Sequence, residues 1–167
     1  MDLRERQRPL KDGYRERPED ARITLSARGS EAGEAVACSV DLGRLVQEAE
    51  AHAGVGGPGT GACSGDLLLG ALAACAQITC QMVAAATGIE AERIEAVAEG
   101  EIDLRGTLGI DRNAPVGFES IRLRLEVEAP DATAEELEGL HARTERYCTV
   151  LQTLLDPPPI ETSMVAI

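Results

Sequence analysis

Polar and apolar residues alternate strictly in Ile121-Arg-Leu-Arg-Leu-Glu-Val-Glu128. A period of two predicts a strand with one face on a core and the other in water. Ile94 to Leu104 alternates in the same way, with Glu95, Glu99, Glu101 and Asp103 among its polar positions. Residues 105–117, with glycines and Pro115, separate the two runs, so the pair reads as an antiparallel hairpin. Two shorter alternating runs precede them, Arg22 to Ser26 and Glu34 to Val40, with Arg28-Gly-Ser-Glu-Ala-Gly33 as the turn between. The period then changes. From Ser64 to Thr87 the chain is apolar nearly all round, broken only by residues such as Gln77, Thr79 and Gln81. Ser64 suits the N-cap, Asp66 the first turn and Gly88 the C-terminal cap. Such a helix is ~35 Å long and has to be buried on most sides.

A second helix is announced by Thr133-Ala-Glu-Glu136, a capping box. Leu137, Leu140, Thr144, Cys148, Leu151 and Leu155 then recur in steps of three and four, which places Cys148 on the buried stripe of one continuous helix. Asp156-Pro-Pro-Pro159 stops it, and Ile160 to Ile167 reads as a last strand. Leu42 to Ala51 reads as a short helix or an irregular excursion. Gly54 to Gly61 is a glycine-rich turn without the ending of a phosphate loop. The order is strand pair, buried helix, strand pair, amphipathic helix, strand. The fold class is therefore α+β, in one domain over residues 21–167 after a charged segment, residues 1–20, expected to be an arm or partly disordered. No internal repeat or linker is visible. Helix one is too apolar for a single sheet to cover, so a second subunit related by twofold symmetry is expected against it.

Composition narrows the function classes. The formal charge is −13, and Lys11 is the single lysine. That field repels phosphate backbones, so no nucleic-acid partner is expected. The apolar helix is near bilayer length but alanine-rich, and it reads as a buried soluble helix rather than a membrane span. Met1 to Asp20 lacks an apolar stretch, so a secretory signal is not expected and the location reads as cytoplasmic. The five cysteines are Cys38, Cys63, Cys75, Cys80 and Cys148. Their odd number argues against a disulfide framework, and without a CxxC no metal site is expected.

Cys63-Ser-Gly-Asp-Leu-Leu-Leu-Gly-Ala-Leu-Ala-Ala-Cys75 resembles the central helix of the OsmC/Ohr family, named for osmotically inducible protein and organic hydroperoxide resistance. Tyr147-Cys-Thr-Val150 is similar to that family's second-cysteine motif, usually Cys-Pro-Val. The resemblance runs over about residues 20–167. It implies an intertwined homodimer with two long central helices packed against antiparallel sheets. It also implies thiol-dependent reduction of organic hydroperoxides in oxidative-stress defence, with no cofactor. Cys75 then matches the attacking cysteine, Cys148 the resolving one, and an external dithiol restores both. The family's activating arginine matches Arg28, with Arg22 as the fallback. The family often begins this helix with Pro-Glu, whose glutamate orients the arginine. Ser64-Gly65 stand there instead, and Asp66, one residue on, is the possible supporting carboxylate if the helix start is shifted.

The chemistry agrees with those roles. A thiolate attacks the peroxide oxygen, and a buried cysteine needs a cation or a donor to ionise. The resulting sulfenic acid condenses with a second thiol. Cys38, Cys63 and Cys80 read as structural, with Cys63, at the more accessible helix entrance, kept as the alternative thiol. Two other readings stay open: the dimeric scaffold as a binding module for an apolar or thiol-reactive ligand, and a redox sensor that forms the disulfide without peroxidase turnover.

Overall fold

The computed structural model describes residues 3–31, 38–41, 51–57 and 62–166; of these, the side chains of residues 3–7, 24–31 and 38–41 are not described. Among the described residues four strands form one antiparallel sheet: β1 (Arg22–Glu31), β2 (Cys38–Asp41), β3 (Arg93–Asp103) and β4 (Phe118–Glu128), in the order β2-β1-β3-β4. β1 runs through most of the expected turn. The rest of that turn, the start of the expected second strand and the expected helix over 42–50 lie outside the described residues, as do residues 58–61 of the glycine-rich turn.

The alternation read from the sequence sets the two faces of the sheet. Ala96 and Ala98 of β3 are fully buried against α2 (Ser64–Thr87), with Ile121, Leu123 and Leu125 of β4 packed beside them. Small residues allow a close approach here. A Cβ at Gly100 would stand 2.4 Å from the Phe118 ring. The opposite face carries ion pairs, with Arg93 on Glu95 and Glu126, Arg124 on Glu126, and Arg122 on Glu101.

α2 has the predicted bounds, ending at Gly88 in the left-handed conformation (φ 73°). Leu69, Leu72, Ala73 and Ala76 face the cluster, and burying each leucine contributes roughly 2 kcal/mol. Gln77, fully buried, donates from Nε2 to the Ile94 carbonyl at 2.7 Å and ties helix to sheet. By length and apolarity α2 would cross a bilayer, but in this fold its buried face is taken by the sheet and the later helices.

Three expectations need correcting. Residues 3–16 form a helix, α1 (Leu3–Glu16), rather than a disordered arm. Tyr14 packs with Ala21 and Leu104, beside Leu10, and donates its hydroxyl to Gly54 O at 2.8 Å, which anchors the charged segment. The second long helix is two helices, α4 (Ala134–Tyr147) and α5 (Thr149–Leu155), broken at Cys148. Residues 156–166 form no strand; Ile160, Met164 and Val165 are 80–97% exposed, because among the described residues no strand pairs with them. Between β3 and β4 the chain folds into a short helix, α3 (Leu104–Thr107), capped by Asp103, whose carboxylate accepts from Arg105 N at 3.0 Å.

Candidate thiol site

α2 and the α4–α5 break bring Cys75 and Cys148 together. Cys75 lies mid-helix on α2, partly buried beside Leu72, Ala73 and Ala76. Cys148 ends α4 and caps α5. Its extended backbone (φ −71°, ψ 101°) takes it out of helical geometry. Its N–H still donates to Thr144 O at 2.9 Å, and its carbonyl accepts from Gln152 N at 2.9 Å. Gln152 Nε2 adds a bond to Glu145 O at 2.9 Å across the break. Thr149 takes the first helical position of α5, whose N–H has no helical partner in any case. Proline is well tolerated there, which places the family's usual Cys-Pro at the same joint.

The turn sets the Cys148 side chain, fully buried, in the same apolar cluster as Cys75, so that the two thiols are neighbours. Their surroundings are apolar: Ala96 and Ala98 from the sheet, and Val150, Leu151 and Leu154 from α5. Burial pushes the Cys148 thiol up to about 11. The Leu151 amide works against that shift, and the neighbouring Cys75 thiol adds to it.

An OsmC-like protein family model matches residues 57–163, a span that holds α2, the sheet's second half, the helix break and both thiols. The chain belongs to the OsmC-like family. Two solved structures share the fold. One is an OsmC-like hydroperoxide resistance protein from Jannaschia sp. CCS1, 13% identical with a TM-score of 0.61, over 87% of this chain and 95% of that one. The other, from Legionella pneumophila, is described as an organic hydroperoxide resistance protein OsmC, predicted redox protein and regulator of sulfide bond formation. It is 18% identical with a TM-score of 0.52, over 80% of this chain and 90% of that one. No curated protein matches the chain.

Within this OsmC-like frame the other candidates are placed as follows. The register sets Arg28 opposite Val97 and Asp41, and its side chain lies outside the described residues. Arg22, the fallback, reaches towards Glu119 at 3.9 Å. Asp66 accepts from Cys63 N at 2.7 Å, so one carboxylate oxygen is committed to capping α2, with Cys63 rather than Ser64 as the cap. Gly65 offers no side chain in its place. The Cys63 thiol is buried at the helix entrance and pushed up by that burial. Cys80 is buried against the Thr144 hydroxyl, and burial raises its thiol as well. All four described thiols are free, and the Cys38 side chain lies outside the described residues. Gln152, which bridges the break, carries no signal in the sequence that marks it out. Val150 and Leu154 show only as apolar residues near the periodic stripe.

Proposed function

We propose that this OsmC-like protein is a thiol-dependent peroxidase for organic hydroperoxides, acting in oxidative-stress defence as a homodimer in the cytoplasm. The observation that supports it best is that Cys75 and Cys148, far apart in sequence, are brought together as neighbours in one apolar cluster. In this scheme the Cys75 thiolate attacks the terminal peroxide oxygen. The O–O bond breaks, the alcohol leaves with a proton, and Cys75 becomes a sulfenic acid. The Cys148 sulfur displaces the hydroxyl, which departs as water with the Cys148 proton, and the S–S bond forms. An external dithiol then reduces that bond and is itself oxidised to a disulfide. Apolar walls suit a hydroperoxide with a hydrocarbon body. Arg28 is the proposed activating cation for Cys75.

One observation favours the alternative, a binding module or redox sensor without turnover: Asp66, the supporting carboxylate, is engaged by the Cys63 amide. The experiment that decides is consumption of an organic hydroperoxide with a dithiol reductant. Wild type turns over and Cys75→Ser falls to background; equal background rates in both would end the peroxidase reading.

A further inference from the structure

The two helices that meet at Cys148 are held very unequally. α4 starts at a capping box and fully buries Leu140 and Thr144. α5 buries no side chain completely; Val150, Leu151 and Leu154 lean on the cluster around Leu69 and Leu72. Two hydrogen bonds bridge the break, Cys148 N–H to Thr144 O and Gln152 Nε2 to Glu145 O. The residue that joins the halves is also one of the two thiols that share the apolar cluster, so a covalent bond at its sulfur acts directly on the joint.

We propose that α5 reads out the oxidation state of the thiol pair. When Cys75 and Cys148 are bonded, α5 is pinned to α2. When both are reduced, α5 and residues 156–166 open locally while α4 stays in place. The cross-link removes conformations from the opened form, and the less buried partner gains most from that. This rests on the reading that the pair forms a disulfide in function. Closing the bond removes one hydrogen from each thiol. Those two electrons and two protons go to a hydroperoxide, giving alcohol and water, or to the diazene diamide, giving its hydrazine.

The test is hydrogen exchange by mass spectrometry on the full chain, reduced and diamide-oxidised, with the Cys75–Cys148 bond mapped. Amides of residues 149–155 are expected to exchange about ten-fold more slowly when oxidised, while those of 134–147 change by less than about two-fold. Gln152→Ala speeds exchange over 149–155 in the reduced protein alone. Equal exchange of α5 in both states, slowing of equal size in α4, or the same protection in diamide-treated Cys75→Ser overturns the proposal. An organic hydroperoxide in place of diamide separates the two readings. If diamide protects α5 but the hydroperoxide forms no disulfide, the peroxidase fails and the readout stands. If both form the bond and α5 does not respond, the readout fails and the peroxidase stands.

Discussion

Cys148 has no solvent-exposed surface, and a thiol there keeps its proton at neutral pH because burial opposes the charge. In the proposed scheme its use is therefore as an acid: the proton it holds is the one the departing hydroxyl would need. Asp103 shows the opposite case. It is 1% exposed, yet the hydrogen bonds from Arg105 (Nε at 3.0 Å to both oxygens) hold its carboxyl below the usual range. A depressed folded-state value favours the folded state above the ordinary carboxylate range, near pH 4, and that contribution disappears as pH falls through the folded value. Thermal melts from pH 6 to pH 2 should therefore show an acid limb that is shallower in Asp103→Asn. An unchanged limb would mean that Asp103 carries none of it. At this scale the sequence singled out both thiols through the resemblance of their two motifs to the OsmC/Ohr family; an apolar helix alone would have marked Cys80 as much as Cys75. The sequence did not show that Asp66 would be spent on the Cys63 amide, since the cap position moved by a single residue from Ser64.

Helix α4 begins where Thr133 and Glu136 exchange hydrogen bonds, Glu136 N to Thr133 Oγ1 at 3.2 Å and Thr133 N to Glu136 Oε2 at 2.8 Å. Thr133→Ala should cost about 1 kcal/mol, read as a lower urea midpoint at unchanged slope. Such local grammar made the elements legible. β4 follows its alternation, whereas β3 is buried on both faces from Ile94 to Ala98; α2 runs from its acidic first turn to Gly88, and α4 starts at its capping box. The errors have a common physical origin. The stripe from Leu137 to Leu155 continues unbroken through Cys148, and Thr149 carries no breaker signal, so nothing local announces that the backbone turns out of the helix there. Ile160 to Ile167 has strand-like composition, but a strand is made by its neighbour, which composition does not report. In α1 the abundant charge hid a pair four residues apart, Leu10 and Tyr14, which is the spacing that anchors it.

For the molecule as a whole, the uncovered side of α2 bears on assembly. Leu67, Leu68 and Met82 are 38–54% exposed; Leu68, Ala71 and Met82 recur at intervals close to whole turns, with Leu67 beside them. The homodimer proposed above would cover this stripe. Sedimentation should then return twice the 17.6 kDa chain mass, and Leu68→Glu with Met82→Glu should return one chain. A monomeric wild type would remove the dimer from the reading. The Ala96, Ala98 and Gly100 face has a different consequence, for how the cluster around the thiols can change. That wall lies flush against α2, so a larger side chain there collides with the helix or the Phe118 ring, and overpacking costs about 1–3 kcal/mol. The opposite wall, Val150, Leu151 and Leu154, is only partly buried among the described residues, so a change of volume there would meet less resistance. Drift towards bulkier or slimmer molecules would therefore be written in the short helix after Cys148, while the sheet stays fixed in size.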